Sequence, residues 1–320
     1  MTEQTFEQFS DELWVAAVQV ATVWTSPSSA RELDTPSLTN PTDIDKWIAG
    51  LTYETNVALC DENRVQTQLL YGEPVIVTDI KDDWAHVVIP SQPSKKDGRG
   101  YPGWVPLRQL KKERTQDWLT DYAAAVTSDK TWLQTESGDN VIKLSYMSTL
   151  PVIAEHPDQI EVHTPDGALF LPKSAAMTYQ TDKGPAKHPG TKIVNDAEQF
   201  LGLDYFWGGM SAFGYDCSGF VYNMHKANGY VIPRDAGDQA QSGKKIPYDQ
   251  LEPGDLIFFA YEEGKGRLHH VGFYYGNGKM LHSPQTGKGI EMIDIKGTKY
   301  EKELCAATRY WQQMGEKNNG

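Results

Sequence analysis

An aspartate and a cysteine stand just before an apolar pattern with helical spacing in the C-terminal half of the chain. The positions recur at i, i+3, i+4 and i+7, one face of a helix: Cys217, Phe220, Val221 and Met224. Asp216 is a favourable N-cap residue, so we expect Cys217 in the first helical turn. The unpaired N–H groups and the dipole at a helix start favour a thiolate, the nucleophilic form of cysteine. A buried structural cysteine is an equal alternative on this stretch alone.

Two histidines lie on consecutive β-rich runs downstream of the cysteine. One run begins at His270, the other ends at His282, and a Gly-Asn-Gly turn separates them. Side chains alternate between the faces of a strand, so the loop length decides whether the two histidines share a face. A three-residue loop, residues 276–278, pairs Tyr275 with Lys279 and leaves both imidazoles on one face. A two-residue loop would separate them, so the inference depends on the turn.

The other histidines fit structural roles better than chemical ones. His156, His188 and His225 are interpreted as surface or core residues. His269 is ambiguous because it adjoins His270. We prefer His270 because it begins the Val-Gly-Phe-Tyr-Tyr strand in register with the second histidine of the pair.

Five motifs follow one another in the C-terminal part of the chain. They are Tyr205-Phe206-Trp207-Gly208-Gly209, Asp216-Cys217-Ser218-Gly219, residues 251–259 (Leu-Glu-Pro-Gly-Asp-Leu-Ile-Phe-Phe), His270-Val271-Gly272 and Met280-Leu281-His282. With them, the segment from about residue 190 onward resembles the NlpC-type family of papain-like bacterial cell-wall cysteine peptidases. The resemblance implies Cys217 as nucleophile, His270 as base and His282 as the orienting residue.

The resemblance also implies a substrate class. The family cuts peptidoglycan stem peptides at the γ-D-glutamyl bond to a diamino acid. Members with two N-terminal SH3-like domains and an Arg-Asp-Ser/Ala-Gly-Asp-Gln loop act on stems with a free N-terminal L-Ala. Glu73, Tyr101 and Asp235 match positions that bind the substrate amine, although solvated turn residues are the alternative for all three. Ala236 stands where such members usually carry Ser, so one hydrogen bond to substrate would be missing.

Further roles near the cysteine follow from the same resemblance. Asp216 and Ser218 would lie beside the α-carboxylate of D-Glu, with Ser218 as a donor. A carboxylate repels that group, so we expect Asp216 to hold the loop instead. The oxyanion donors would be the backbone N–H of Cys217 and, by resemblance alone, the hydroxyl of Tyr205. His270 would be cationic in the resting pair.

The N-terminal region is β-rich and divides into two parts. Residues 1–115 carry the order Leu-Tyr-Gly-Glu, Asp-Asp-Trp and Gly-Trp-Val, which resembles bacterial SH3-like domains, with an insertion at residues 31–54. Residues 116–185 repeat the pattern weakly, and residues 186–320 form the peptidase part. The sequence therefore predicts an α+β protein, in which two small all-β SH3-like barrels precede a papain-like domain.

Several elements are predicted within these parts. Residues 14–24 and 69–77 are each predicted as one strand. Residues 84–89 are a further strand, residues 101–106 close the unit, and Asp43 to Leu51 is a short helix. In the peptidase part, residues 193–201 are predicted as a helix and residues 233–239 as a loop.

Composition and charge narrow the class of protein. The net charge is −13. Residues 189–320 hold 14 basic and 16 acidic residues, or −2, so the first 188 carry −11. Nucleic acid and anionic wall polymers should be repelled by the N-terminal region, which favours a soluble peptide substrate over wall anchoring. Acidity that serves only solubility is the alternative.

Cysteine count and the N-terminus add further expectations. Three cysteines, Cys60, Cys217 and Cys305, exclude a dense disulfide framework, and Cys305 is interpreted as core. No spacing predicts a metal site, and no cofactor or membrane partner is expected. Residues 1–7 are acidic and polar and lack signal-peptide features, which favours the cytoplasm unless a signal has been removed. We expect a monomer.

Other functions remain open at this point. The SH3-like domains could bind wall or protein beside a vestigial peptidase fold. The peptidase fold could instead belong to an acyltransferase or to an amidase that cuts the sugar–peptide link. A secreted hydrolase that cuts intact stems is a further alternative.

Overall fold

The computed structural model describes residues 11–311, so the N-terminal stretch 1–7 discussed above lies outside the described part. The chain forms two compact units. Unit 1 runs to Pro185 and includes Trp207–Phe213, whereas unit 2 comprises Ala186–Phe206 and the chain from Gly214 onward. None of the helices within residues 11–311 is long and apolar enough to cross a bilayer.

Two seven-stranded antiparallel sheets make up most of unit 1. The first contains β1 (Glu12–Ala16), β2 (Val20–Trp24), β3 (Val65–Leu70), β4 (Pro74–Lys81), β5 (Trp84–Ile89), β6 (Tyr101–Pro106) and β7 (Leu110–Arg114). The second contains β8 (Tyr122–Val126), β9 (Lys130–Gln134), β10 (Asn140–Ser145), β11 (Thr149–Glu155), β12 (Gln159–Thr164), β13 (Gly167–Pro172) and β14 (Ala176–Gln180).

The two sheets share one topology. Their strand orders are β3-β2-β6-β5-β4-β1-β7 and β10-β9-β13-β12-β11-β8-β14. Adding seven to each strand number of the first order gives the second. The weak sequence repeat therefore reflects a structural repeat, and the prediction of two all-β SH3-like modules is confirmed. The domain boundaries at residues 115 and 185 stay predictions.

Short helices accompany the first sheet. They are 3₁₀ turns at Pro27–Ser29 and Leu107–Gln109, a 3₁₀ helix at Glu32–Ser37, α1 (Ile44–Gly50), α2 (Tyr53–Asp61) and α3 (Thr115–Trp118). The expected helix after Asp43 is α1, and Asp43 caps it by accepting a hydrogen bond from Lys46 N. Helix α2 was not predicted, and Thr52 caps it.

Two runs predicted as single strands each form two strands. Residues 14–24 split at residues 17–19, because β1 pairs with β4 and β7 while β2 pairs with β3 and β6. Residues 69–77 split at a turn in which Gly72 takes a φ of +79°, a conformation that glycine reaches without strain. Apolar residues that continue through a turn hide such breaks from sequence reading.

Tyr71 joins the two sheets of unit 1. It lies in the turn between β3 and β4, yet its ring belongs to the core of the second sheet, beside Ala124 and Leu150. Its hydroxyl donates to Asp166 Oδ2 at 2.6 Å. Burial raises the pKa of the Tyr71 phenol, so this hydroxyl stays a donor.

Unit 2 contains helices packed on one antiparallel sheet. The helices are α4 (Gly190–Ala197), α5 (Cys217–Ala227), α6 (Ala236–Ser242) and α7 (Lys299–Glu303), with 3₁₀ turns at Glu198–Phe200 and Tyr248–Gln250 and a short helical turn at Tyr261–Gly264. Short strands are β15 (Met210–Ser211), in the segment assigned to unit 1, and β16 (Gly214–Tyr215). The sheet is formed by β17 (Lys244–Lys245), β18 (Leu256–Ala260), β19 (Leu268–Gly276), β20 (Lys279–His282), β21 (Glu291–Asp294) and β22 (Leu304–Arg309), in the order β17-β22-β18-β19-β20-β21.

The papain-like arrangement is confirmed, with local corrections. Helix α5, which carries the cysteine, packs on β19, which carries a histidine. The helix predicted at residues 193–201 begins earlier, at Gly190, and becomes 3₁₀ at Glu198. The loop predicted at residues 233–239 turns into helix α6 at Ala236. Cys305 was interpreted as core, but it is only half-buried.

Candidate active site

Helix α5 begins where the sequence predicts. Asp216 has extended backbone angles and its carboxylate accepts a hydrogen bond from Gly219 N at 2.6 Å, as an N-cap residue does. Cys217 occupies the first turn and keeps 9% of its surface exposed. Phe220, Val221 and Met224 are fully buried beneath it, so packing of the apolar face fixes the orientation of the cysteine.

Arg234 is the residue at this helix start that sequence reasoning missed. Its guanidinium donates to Asp216 Oδ2 at 2.6 Å and to Ser218 Oγ at 2.7 Å, and it is 1% exposed. The Ser218 hydroxyl in turn lies 3.1 Å from Asp216 Oδ1. Asp216 therefore holds the loop, as expected. A buried carboxylate is costly unless it is paired, but the burial of Asp216 is not visible in the sequence, so no local signal indicated Arg234.

The thiol of Cys217 differs from the sequence expectation. Burial raises its pKa to about 12, and the Asp216 carboxylate adds to this effect. Hydrogen bonds to the backbone of Val271 and Ser218, together with the Arg234 guanidinium, oppose it. Desolvation thus outweighs the helix start, and the thiol is neutral in the resting site. The Val271 contact places the sulfur beside the strand residue that follows His270.

The hairpin that carries the two histidines has a shorter loop than predicted. Gly276 pairs with Lys279, which leaves a two-residue loop, and a bulge lies between Tyr274 and Gly276. Phe273 pairs with Leu281, which is the register that the three-residue loop requires. The bulge supplies the missing residue, so both histidines face the same side although the loop has two residues.

His270 and His282 form a buried, hydrogen-bonded pair. His270 Nε2 and His282 Nδ1 lie 2.7 Å apart, and the rings meet at 76°. The residues are 3% and 0% exposed. Burial lowers the pKa of His270 well below its ordinary value and that of His282 to about 3. The expectation of a cationic His270 at rest is therefore wrong, because desolvation disfavours the charge.

Two neighbours define the surroundings of the pair. His269 stacks on Tyr261, with ring centroids 4.1 Å apart, and its Nε2 lies 3.2 Å from Glu303 Oε2, so it pairs away from His282. Tyr300 on α7 was not predicted. Its ring centroid lies 5.3 Å from those of both His270 and His282. A tyrosine after a short loop gives no sequence signal for this packing.

The remaining predicted residues of unit 2 have defined positions. Tyr205 is 8% exposed, and its backbone N–H donates to Lys288 O at 2.9 Å. Asp235 is the N-cap residue of α6, and its backbone carbonyl accepts from Asp238 N and Gln239 N. Ala236 is the first residue of that helix.

Glu73 and Tyr101 belong to unit 1 and are both buried there. The Glu73 carboxylate accepts hydrogen bonds from Leu70 N, at 2.9 Å, and from the Ser91 hydroxyl. Tyr101 is 2% exposed, and Lys96 lies over its ring, 4.1 Å from the centroid, while donating to its hydroxyl. Neither residue is a simple solvated turn residue, and their role toward substrate stays a prediction.

Comparison with known proteins adds to this geometry. Residues 202–309 match the NlpC/P60 family, residues 126–179 match the YKFC SH3b2 domain, and residues 60–110 match the bacterial dipeptidyl-peptidase Sh3 domain. The gamma-D-glutamyl-L-lysine dipeptidyl-peptidase of Bacillus subtilis (strain 168) is 47% identical, over 92% of this chain and 97% of its own. The chain belongs to the NlpC/P60 family.

Two further comparisons concern Bacillus cereus. Its gamma-D-glutamyl-L-lysine dipeptidyl-peptidase (strain ATCC 10987 / NRS 248) is 36% identical, over 95% of this chain and 92% of its own. The crystal structure of an NlpC/P60 family protein from strain ATCC 10987 superposes with a TM-score of 0.89 at 36% identity, covering 94% of this chain and 100% of that one. This NlpC/P60 protein is accordingly a cysteine peptidase preceded by two SH3-like modules.

Proposed function

We propose that this NlpC/P60 peptidase hydrolyses the γ-D-glutamyl bond to a diamino acid in peptidoglycan stem peptides that carry a free N-terminal L-Ala. The observation that carries the chemistry is the buried Cys217 at a helix start, hydrogen-bonded to the backbone beside the His270–His282 pair. The substrate class is supported by the names of two relatives that match nearly the whole chain.

The neutral thiol and neutral imidazole set the first step. As the sulfur attacks the amide carbonyl, its proton passes to Nδ1 of His270, the ring nitrogen not used by the contact with His282. The His270 imidazolium then protonates the leaving amine, and a thioester forms on Cys217. His270 next takes a proton from water as the water attacks the thioester carbonyl. The C–S bond breaks, the acyl product leaves, and the proton passes from His270 back to the sulfur of Cys217. Charge thus develops only when substrate is bound.

The surrounding residues are assigned to binding and stabilisation. We assign the oxyanion to the backbone N–H of Cys217 and the hydroxyl of Tyr205. Ser218 and nearby backbone amides would face the D-Glu carboxylate. Arg234 offsets the charge of Asp216, which would otherwise repel that carboxylate.

Glu73, Tyr101 and Asp235 are assigned to the substrate amine. A carboxylate that recognises an ammonium group discriminates strongly against a neutral amide at the same place. This recognition would make the enzyme a dipeptidyl-peptidase that rejects stems still linked to glycan. Ala236 lacks a hydroxyl, so the amine site would depend on the acidic groups.

The requirement for a free substrate amine is tested with two substrates that differ only at the N-terminus. The peptide L-Ala-γ-D-Glu-L-Lys should be cleaved between D-Glu and Lys, and its N-acetylated twin at least about 100-fold more slowly in kcat/KM, since a buried charge would lose its partner. Product masses identify the bond that is cut. Equal rates on the two peptides would remove the free-amine proposal while leaving the peptidase assignment intact.

A further inference from the structure

His282 uses one ring nitrogen, Nδ1, in its contact with His270, and the other, Nε2, has no role in the proton transfer described above. His282 is fully buried, and its Nε2 has no hydrogen-bond partner among residues 11–311. Glu291 lies directly opposite His282 in the β20–β21 register. Its Oε1 is 3.6 Å from His282 Nε2, an ion-pair separation that is longer than a hydrogen bond.

The proposed proton transfer requires that His282 carry its own proton on Nε2, the nitrogen nearest the Glu291 carboxylate. If Nδ1 of His270 accepts the thiol proton, the ring must carry its own proton on Nε2. That N–H donates to Nδ1 of His282, which lies 2.7 Å away. His282 must then carry its proton on Nε2, facing Glu291. The opposite tautomer of His282 would leave His270 protonated on Nδ1 and unable to act as a base.

We propose that Glu291 is a positioning residue that holds the Nε2–H tautomer of His282 and, through His282, stabilises the His270 imidazolium. The inference rests on the proposed function, because it assigns a role within the same proton transfer. A neutral third residue stabilises an imidazolium less than a carboxylate does. Glu291 supplies this negative charge on the far side of His282 from His270.

Two lysines, a tyrosine ring and the Glu291 carboxylate surround His282. Lys288 Nζ lies 3.5 Å from the same Glu291 oxygen and competes with His282 for it. Lys288 and Lys299 both lower the pKa of His282. The Tyr300 ring packs edge-on against His282 at 87° and closes another side. Among these neighbours Glu291 is the anionic group, and its side chain, 36% exposed, can move the short distance to the imidazole.

The test compares Glu291→Gln with Asp294→Asn. Asp294 lies on the same strand and pairs with Lys279 across the same strand pair, at 3.0 Å, so its amide variant removes the same charge from β21 away from His282. Glu291→Gln should lower kcat about tenfold with KM changed less than twofold. The acid limb of the kcat/KM profile should move to lower pH, because the protonated imidazole loses its stabilising charge. Asp294→Asn should change neither.

A second variant tests the direction of the effect. Lys288→Met removes the competing cation from an exposed side chain, so the acid limb should move to higher pH, opposite to the shift in Glu291→Gln. Wild-type kcat and an unmoved acid limb in Glu291→Gln would overturn the role of Glu291. Equal changes in Asp294→Asn, or a Lys288→Met shift in the same direction as Glu291→Gln, would do so too. Cys217→Ala is assayed in parallel. Turnover by that variant would refute the proposed function rather than the role of Glu291.

Discussion

At the scale of single residues, burial decides the protonation of the site. The thiol of Cys217 and the imidazoles of His270 and His282 all have pKa values shifted toward their neutral forms, and desolvation is the largest cause in each. A helix start and an imidazole neighbour predict an ion pair from sequence. The depth at which the fold places these groups reverses that prediction, and depth is a property of tertiary packing.

His225 shows the same effect away from the chemistry. It is fully buried, its Nδ1–H donates to Val221 O at 2.8 Å, and its ring stacks on Phe273. Burial lowers its pKa to about 4 from an ordinary 6.5. Between these values the unfolded chain binds a proton that the folded chain does not. His225 therefore makes stability fall as the pH drops from 6.5 to 4, by about 1.4 kcal/mol per pH unit.

The variant His225→Phe keeps the ring stacking and removes the titrating group. The dependence of the free energy of unfolding on pH, from urea titrations at pH 6.5, 5.5 and 4.5, should become shallower by about one proton. His156→Gln, which removes an exposed imidazole, is the matched control and should leave the slope closer to wild type. An unchanged slope in His225→Phe would show that this histidine is protonated in the folded state.

At the scale of elements, the contact between a helix start and a neighbouring loop fixes the nucleophile. Helix α5 was predictable because Asp216 and the apolar spacing are local signals. The partner of Asp216 was not predictable, because Arg234 lies 18 positions away in a segment read as a loop. Likewise the hairpin register followed from alternation, whereas the bulge after Tyr274 depends on pairing that no local pattern specifies.

The buried ion pair at the helix start predicts strong coupling between its two partners. Arg234→Met leaves the Asp216 carboxylate buried and unpaired, which should destabilise unit 2 by about 3–5 kcal/mol. Asp216→Asn keeps an N-cap acceptor but strands the guanidinium. The double variant removes both charges. Its loss of unfolding free energy should be smaller than the sum of the two single losses by up to about 3 kcal/mol.

A double-mutant cycle by urea unfolding measures this coupling. The exposed Lys279–Asp294 pair, with its Met and Asn variants, is the matched control and should couple by less than about 1 kcal/mol. Additive effects at Arg234 and Asp216 would mean that the two side chains stabilise the helix start independently.

At the scale of the whole molecule, the chain combines a duplicated β-module with a single catalytic unit. The repeat was visible in sequence only as a weak recurrence of short β-runs, whereas the strand orders of the two sheets match throughout. The sequence does not reveal that Tyr71 packs in the core of the second sheet, because this residue lies within an apolar run that continues through a turn of the first sheet. The five motifs of unit 2 were informative because each has its own local geometry.

One variant measures whether the sulfur at the start of α5 is the nucleophile. Cys217→Ala removes the sulfur and leaves the helix cap, the Arg234 ion pair and the histidine pair in place. We expect kcat/KM on L-Ala-γ-D-Glu-L-Lys to fall to the background rate, while the thermal midpoint stays within about 2 °C of wild type. Measurable turnover by Cys217→Ala, with the bond between D-Glu and Lys still cut, would contradict this mechanism.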